Sequence, residues 1–165
     1  MAAEHHKDQI RSNLRVGIVT ASDTRTADTD KSGAQIRAMF EAAGHTIAYY
    51  EIVPDAPGKI AHAIITHLPD LDAVIVNGGT GLTQRDVTAD VVRSLIDREI
   101  EGFGELFRML SFQEIGAAAM LSRAIAGVRH RKFIAALPGS TAACRLAMEK
   151  LILPEIGHIA YLLSQ

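Results

Sequence analysis

Apolar positions along this chain fall into two alternating kinds of run. Residues 14–20, 46–53, 72–77 and 132–137 are apolar almost without interruption. Short continuous runs of this kind predict strands buried on both faces, which requires helices above and below the sheet. Between them the apolar positions take helical spacing. "KSGAQIRAMFEAAG" puts Ile36, Met39 and Phe40 on one stripe and stops at Gly44, and "GKIAHAIITHL" groups Ile60, Ile64 and Leu68. A third stripe joins Val87, Val91 and Leu95, with Val92 and Ile96 beside it. Strand and helix alternate, so the pattern predicts an α/β fold: three layers, α/β/α, around a mainly parallel sheet. Such sheets bind ligands beyond the carboxyl ends of their strands.

One helical segment is broader than a single stripe. In "EGFGELFRMLSFQEIG", Phe103, Leu106, Phe107 and Leu110 form the stripe, and Met109 and Phe112 widen it. A core helix accounts for part of this surface; the remainder fits the seam of a homo-oligomer.

Composition narrows the classes. At 165 residues and 48% hydrophobic, the chain is expected to form one domain over 14–165, preceded by a flexible polar arm at 1–13. The His5 and His6 pair in that arm is too short to make a metal site. A net charge of −2 provides no broad basic field, which argues against nucleic acid as a partner. One cysteine, Cys144, excludes a disulfide framework and cysteine metal clusters, and its apolar helical surroundings read as packing. With neither a signal-peptide core nor an apolar run of about 20 residues, no membrane association is expected and the location reads as cytoplasmic.

Candidate chemistry centres on "NGGTGLTQRDVT" after the third strand. Gly78, Gly79 and Gly81 allow positive φ and close approach of backbone amides, and the following helix offers its positive end, as a phosphate cradle requires. A tight turn needing glycine for geometry alone is the competing reading. Thr80 adds a hydroxyl, Arg85 a cationic fork suited to phosphate, and Asp86 a carboxylate able to carry Mg²⁺ on a polyphosphate. Asp86 also stands three places after Thr83 in a capping-like arrangement, so a structural role is equally open. After the fourth strand, Pro138 and Gly139 leave the sheet and Ser140 or Thr141 can cap the next helix; the same loop can face a ligand. Asp55 in "VPDAPG" is a turn former by itself, but lies at the same predicted edge, as do Ser22 and Asp23. No G-x-x-x-x-G-K-[ST], no G-x-G-x-x-G after the first strand and no tyrosine with a lysine four places later occur. His62 and His67, five apart, read as ordinary helix residues, and "RHRK" at 129–132 as a solvated turn.

These motifs together resemble the molybdenum cofactor biosynthesis proteins of the MoaB and MogA type, which bind molybdopterin. The likeness runs from "VGIVTASDTR" through "VPD", "NGGTGLTQRDVTAD" and "REIEGFGELFRMLSFQEIGAAAMLSRAIAG" to "LPGSTAAC", and "FRMLSFQEIG" brings it nearer to MoaB. The resemblance implies a MogA-like fold assembled as homotrimers, often paired into homohexamers. It further implies transfer of AMP from Mg-ATP to the terminal phosphate of molybdopterin, giving adenylyl-molybdopterin and pyrophosphate. By motif, the required aspartates fall on Asp55 and Asp86, which would also hold Mg²⁺. The phosphate loop falls on Gly78, Gly79, Thr80 and Gly81, with Arg85 beside it. The serine of "LSR" falls on Ser122, and a second ligand loop on Pro138, Gly139 and Ser140. Ala89 stands where the family often has proline. The rival reading is a noncatalytic carrier of molybdopterin or nucleotide; a nucleotide hydrolase is a weaker third.

Overall fold

The computed structural model describes residues 9–165. His5, His6 and the first eight residues of the expected arm lie outside the described residues. The described part of the arm packs on the domain: the Arg11 amide donates to the Gly157 carbonyl at 3.0 Å, and its guanidinium meets Asp72 at 2.9 Å.

The elements run β1 (Arg15–Ala21), α1 (Lys31–Ala42), β2 (Thr46–Val53), α2 (Pro57–His67), β3 (Ala73–Asn77), α3 (Thr88–Leu95), β4 (Arg98–Glu99), α4 (Glu101–Ile115), β5 (Ile125–Arg129), β6 (Lys132–Leu137), α5 (Thr141–Ala147) and α6 (Leu153–Ser164). One turn of π-helix, Met148–Ile152, joins α5 to α6. The six-stranded sheet has the order β2-β1-β3-β6-β5-β4. Its first four strands are parallel, and β5 and β4 add antiparallel at the far side.

Alternate residues of each strand feed two cores, because successive side chains point to opposite faces. Val16, Ile18, Ile75, Ala135 and Leu137 meet Ile36 and Phe40 of α1, Phe103 and Phe107 of α4, and Ile156 of α6. Val19, Val74, Val76, Ile134 and Ala136 meet Ile60 and Ile64 of α2 and Val92 and Leu95 of α3. This is the expected three-layer arrangement.

Two strand expectations change. Thr46–Val53 is not covered on both faces: β2 is the edge strand, and Val53 alone is fully buried in it. Its aromatic and β-branched residues reflect a half-covered edge. Residues 125–129, which carried no strand expectation, form β5. Gly127 obscures the pattern there for a packing reason, since a Cβ would lie 2.6 Å from the Arg98 carbonyl of β4.

Candidate functional site

The chain leaves β1 for β2 on one side and passes from β3 towards β6 on the other. The loops after β1 and β3 therefore part company at a topological switch point, where open α/β sheets form a ligand crevice.

The glycine loop forms the floor of this crevice. Gly78 has φ +96° and Gly79 φ +68°, both in the left-handed region. Space is as restrictive as torsion: a Cβ on Gly78 would collide with the Ala21 carbonyl, and one on Gly79 would sit 2.5 Å from Thr88 Oγ1. The Gly78 amide donates to Leu137 and the Thr88 amide to the Gly79 carbonyl, so the loop is tied to β6 and to the start of α3. The amides of Gly79 and Thr80 donate to no acceptor among the described residues. Beside them two buried oxygens, Asn77 Oδ1 and Thr88 Oγ1, also lack partners. Geometry thus demands the glycines, and unpaired polar groups remain around the same bend.

An acidic wall stands on one side. Asp55 follows β2, and its amide donates to Asp23 Oδ1 at 3.0 Å; Asp23 Oδ2 pairs with the Arg85 guanidinium. That pair, then the Asp55 amide, hold the Asp23 carboxyl below its ordinary range, and Asp23 in turn raises Arg85. Partial burial raises Asp55, and the negative charges of Asp23 and Asp86 push the same way. Asp86 moves oppositely: the Thr83 hydroxyl at 2.6 Å, and then the Thr83 and Gly81 amides, stabilise its charged form. Thr83 and Asp86 do meet, but as a brace within the loop and not as a helix cap, since α3 begins only at Thr88 and has no side-chain cap; the contact sets the Asp86 carboxylate against Gly81. No group of three or more His, Cys, Asp or Glu arranged for a metal occurs among the described residues. The donor set still fits Mg²⁺, which binds through one or two carboxylates and takes its other oxygens from phosphate and water.

On the other side loop 138–140 leaves β6 and packs on the glycine loop: a Cβ on Gly139 would stand 3.3 Å from Gly78 Cα. Ser140 caps α5, its Oγ accepting from the Ala143 amide at 3.2 Å. Ser122 ends the turn Gly116–Leu121 after α4, and its hydroxyl accepts from the Ala124 amide at 3.3 Å. It reaches the crevice through its neighbour, since the Arg123 amide donates to the Thr80 carbonyl at 3.0 Å. Asp55, Arg85, Asp86, the glycine loop, Ser122 and loop 138–140 thus share one rim.

Sequence reasoning passed over Arg123. Its Nε donates to the Gly81 carbonyl at 2.8 Å, its Nη2 to the Asp86 carbonyl, and its Nη1 to both Asp90 oxygens at 2.8 and 2.9 Å. One guanidinium therefore buttresses the glycine loop and the start of α3. The only signal for it in the sequence is its place beside Ser122 in "LSR".

An open, mainly parallel sheet with a glycine bend, clustered carboxylates and arginines at its switch point defines a three-layer α/β protein with a polar crevice at the carboxyl edge of its sheet. The chain belongs to the molybdenum cofactor biosynthesis family: the family model described as "Probable molybdopterin binding domain" matches residues 17–158. A relative from Bacillus cereus, molybdenum cofactor biosynthesis protein B, is 52% identical over 164 residues, covering 98% of this chain and 97% of its own. Its Bacillus subtilis namesake is 46% identical over 162 residues, covering 96% and 95%. Among solved structures, one of molybdenum cofactor biosynthesis protein B superposes with TM-score 0.90 at 52% identity, over 93% of this chain and 97% of that one. The tungsten cofactor synthesizing protein MoaB from Pyrococcus furiosus gives TM-score 0.80 at 34% identity, over 90% and 96%. No helix among the described residues is long and apolar enough to cross a membrane.

Proposed function

We propose that this protein adenylylates molybdopterin: an oxygen of the terminal molybdopterin phosphate attacks the α-phosphorus of ATP. The new O–P bond forms as the α–β bridging P–O bond breaks, and pyrophosphate leaves. The observation that carries this reading is the convergence of Asp55, Asp86 and Arg85 on a glycine bend with unpaired amides. Phosphoryl-type transfer needs alignment and charge neutralisation more than a covalent nucleophile, and this rim offers those two things.

Asp55 and Asp86 would hold Mg²⁺, which supplies neutralising charge to the triphosphate. The Asp55 carboxyl is raised first by partial burial and then by the like charges of Asp23 and Asp86, and a bound cation would relieve that cost. Arg85 is exposed and bound only through Asp23, so it can exchange that carboxylate for a phosphate. Amides of the glycine loop receive phosphate oxygens, and Ser122 and loop 138–140 seat the pterin substrate. Assembly as a homotrimer, or a hexamer of paired trimers, in the cytoplasm completes the reading.

The test is purified protein with molybdopterin and Mg-ATP, followed by detection of adenylyl-molybdopterin and pyrophosphate. Asp86→Asn is expected to remove most transfer, a fall of at least about 100-fold, while the protein stays folded. An unchanged rate rejects the role. A noncatalytic carrier has one observation in its favour: Asp86 already serves Thr83 and Gly81 as a loop brace. Tight molybdopterin binding without product would select that reading.

A further inference from the structure

Asp30, at the start of α1, is 2% exposed and gathers donors from several elements. Its Oδ2 accepts from Thr20 Oγ1 at 2.5 Å and from the Tyr50 hydroxyl, and its Oδ1 from the Gly33 amide at 3.0 Å. The Arg25 guanidinium stands 3.5 Å from that Oδ1. From there Arg25 Nη1 donates to Ser32 Oγ at 3.2 Å, and Nη2 to the Gly139 carbonyl at 2.7 Å. The Ser32 hydroxyl donates to the same carbonyl, also at 2.7 Å. One carbonyl of the second ligand loop thus takes two donors from a segment more than a hundred residues away in sequence.

A carbonyl on a Pro-Gly turn at a sheet edge can be satisfied by water. Here it is held by a charge-assisted bond and a hydroxyl, both short, with a buried carboxylate steadying the guanidinium. The contact lies where the two ligand loops meet: a Cβ on Gly139 would be 3.3 Å from Gly78 Cα and 3.7 Å from Arg25 Nη2. Asp55 and Arg85 occupy the opposite side of the glycine loop. We propose that Arg25 is a positioning residue, which together with Ser32 clamps the Gly139 carbonyl so that loop 138–140 is fixed against the glycine loop. Its effect falls on the ligand seated by loop 138–140, and leaves the ATP side unchanged. The clamp needs a planar fork that reaches Ser32 and Gly139 together, which an ammonium does not provide.

The kinetic arm of the test rests on the adenylyl-transfer reading; the binding arm does not. Arg25→Ala and Arg25→Lys are each expected to lower kcat/KM for molybdopterin about 10- to 100-fold, with KM for ATP within about twofold of the parent protein. Ser32→Ala, which keeps the arginine bond, is expected to lose less than about fivefold, and melting temperatures to fall by only about 2–4 °C. Full activity in Arg25→Ala overturns the clamp. So does full rescue by lysine, which would show that charge alone matters, or an effect confined to KM for ATP. If Arg25→Ala does not fold, Arg25→Lys and Ser32→Ala decide the matter on the same readouts. If the parent protein yields no adenylylated product, the transfer reading fails, and equilibrium binding of molybdopterin judges the clamp by itself. Binding weakened at least about tenfold in Arg25→Lys upholds it, and equal binding overturns it.

Discussion

Asp55 and Asp86 differ in what their neighbours do to their charge, and the difference is measurable apart from catalysis. The carboxyl of Asp55 is raised, so the folded state favours its protonated form. Its contribution to stability is present at low pH and is lost as pH rises through the folded value. At pH 7 the charged side chain therefore opposes folding, and Asp55→Asn is expected to raise the melting temperature. Asp86 is lowered, so its contribution is present at neutral pH and disappears as pH falls through its folded value. Asp86→Asn is expected to lower the melting temperature at pH 7, by no more than about 2–4 °C for a loss near 1 kcal/mol at this partly exposed site. Calorimetry of both variants at pH 7 and pH 4 checks the signs: the two shifts should be opposite at pH 7, the Asp55 shift should shrink at pH 4, and the Asp86 shift should persist there, since a lowered carboxyl gives up its charge only in stronger acid. The type and position of these carboxylates were legible from "VPD" and "RDVT", since an edge prediction and two motifs sufficed. Their contrary environments were not, because Asp23 and Thr83 act through contacts that no spacing rule encodes. Arg123 and Arg25 escaped notice for the same reason: each acts on carbonyl groups, and the sequence does not display which carbonyls a folded chain leaves within reach.

At the scale of elements, the glycine bend is where an obligatory backbone conformation underlies the proposed phosphate cradle. Gly79 combines φ +68° with a gap beside Thr88 Oγ1 too small for a methyl group. Gly79→Ala is expected to lose about 1–3 kcal/mol of stability and to displace the amides proposed to receive phosphate. Urea unfolding and ATP titration of this variant should fall together; normal affinity for ATP would remove the glycine loop from the nucleotide site. Helix ends show where the sequence reading was thinner. "RHRK" is the turn between β5 and β6, with His130 and Arg131 at positive φ. It also does more than meet solvent: Arg129 donates to the Leu95 carbonyl at the end of α3, and Arg131 to the Leu163 carbonyl near the end of α6. Cations at helix carboxyl ends are favourable, but which helix a distant arginine reaches depends on the tertiary fold. β5 was hidden by Gly127 and by its brevity, and β2 was over-read as a central strand because aromatic and β-branched residues suit a half-covered edge equally well.

For the whole molecule the largest run of exposed apolar side chains lies on α4 and the turn that follows it. Phe103 and Phe107 are buried as the helical stripe requires, but Leu106, Met109, Phe112 and Ile115 are 47%, 53%, 61% and 61% exposed, and Met120 and Leu121 continue the patch. Six of the ten large apolar side chains left exposed in the described part of this chain therefore lie in one stretch of it. Concentration of that kind is unfavourable for a monomer in water, at roughly 25 cal/mol per Å² of apolar area, and a second copy would relieve it. The same stretch ends at Ser122 and Arg123, so an interface formed there would reach the edge of the crevice. Two measurements should therefore move together. Light scattering on the parent protein is expected to give a multiple of 17.8 kDa, in keeping with a trimer or hexamer. Met109→Glu with Phe112→Glu should shift it towards one chain, because each buried carboxylate would cost several kcal/mol at the seam while remaining hydrated in the monomer. Neither residue belongs to the glycine loop, so any accompanying fall in molybdopterin affinity would come through the turn Gly116–Leu121 that leads to Ser122. A parent protein that scatters as a single chain would reject self-association through this face.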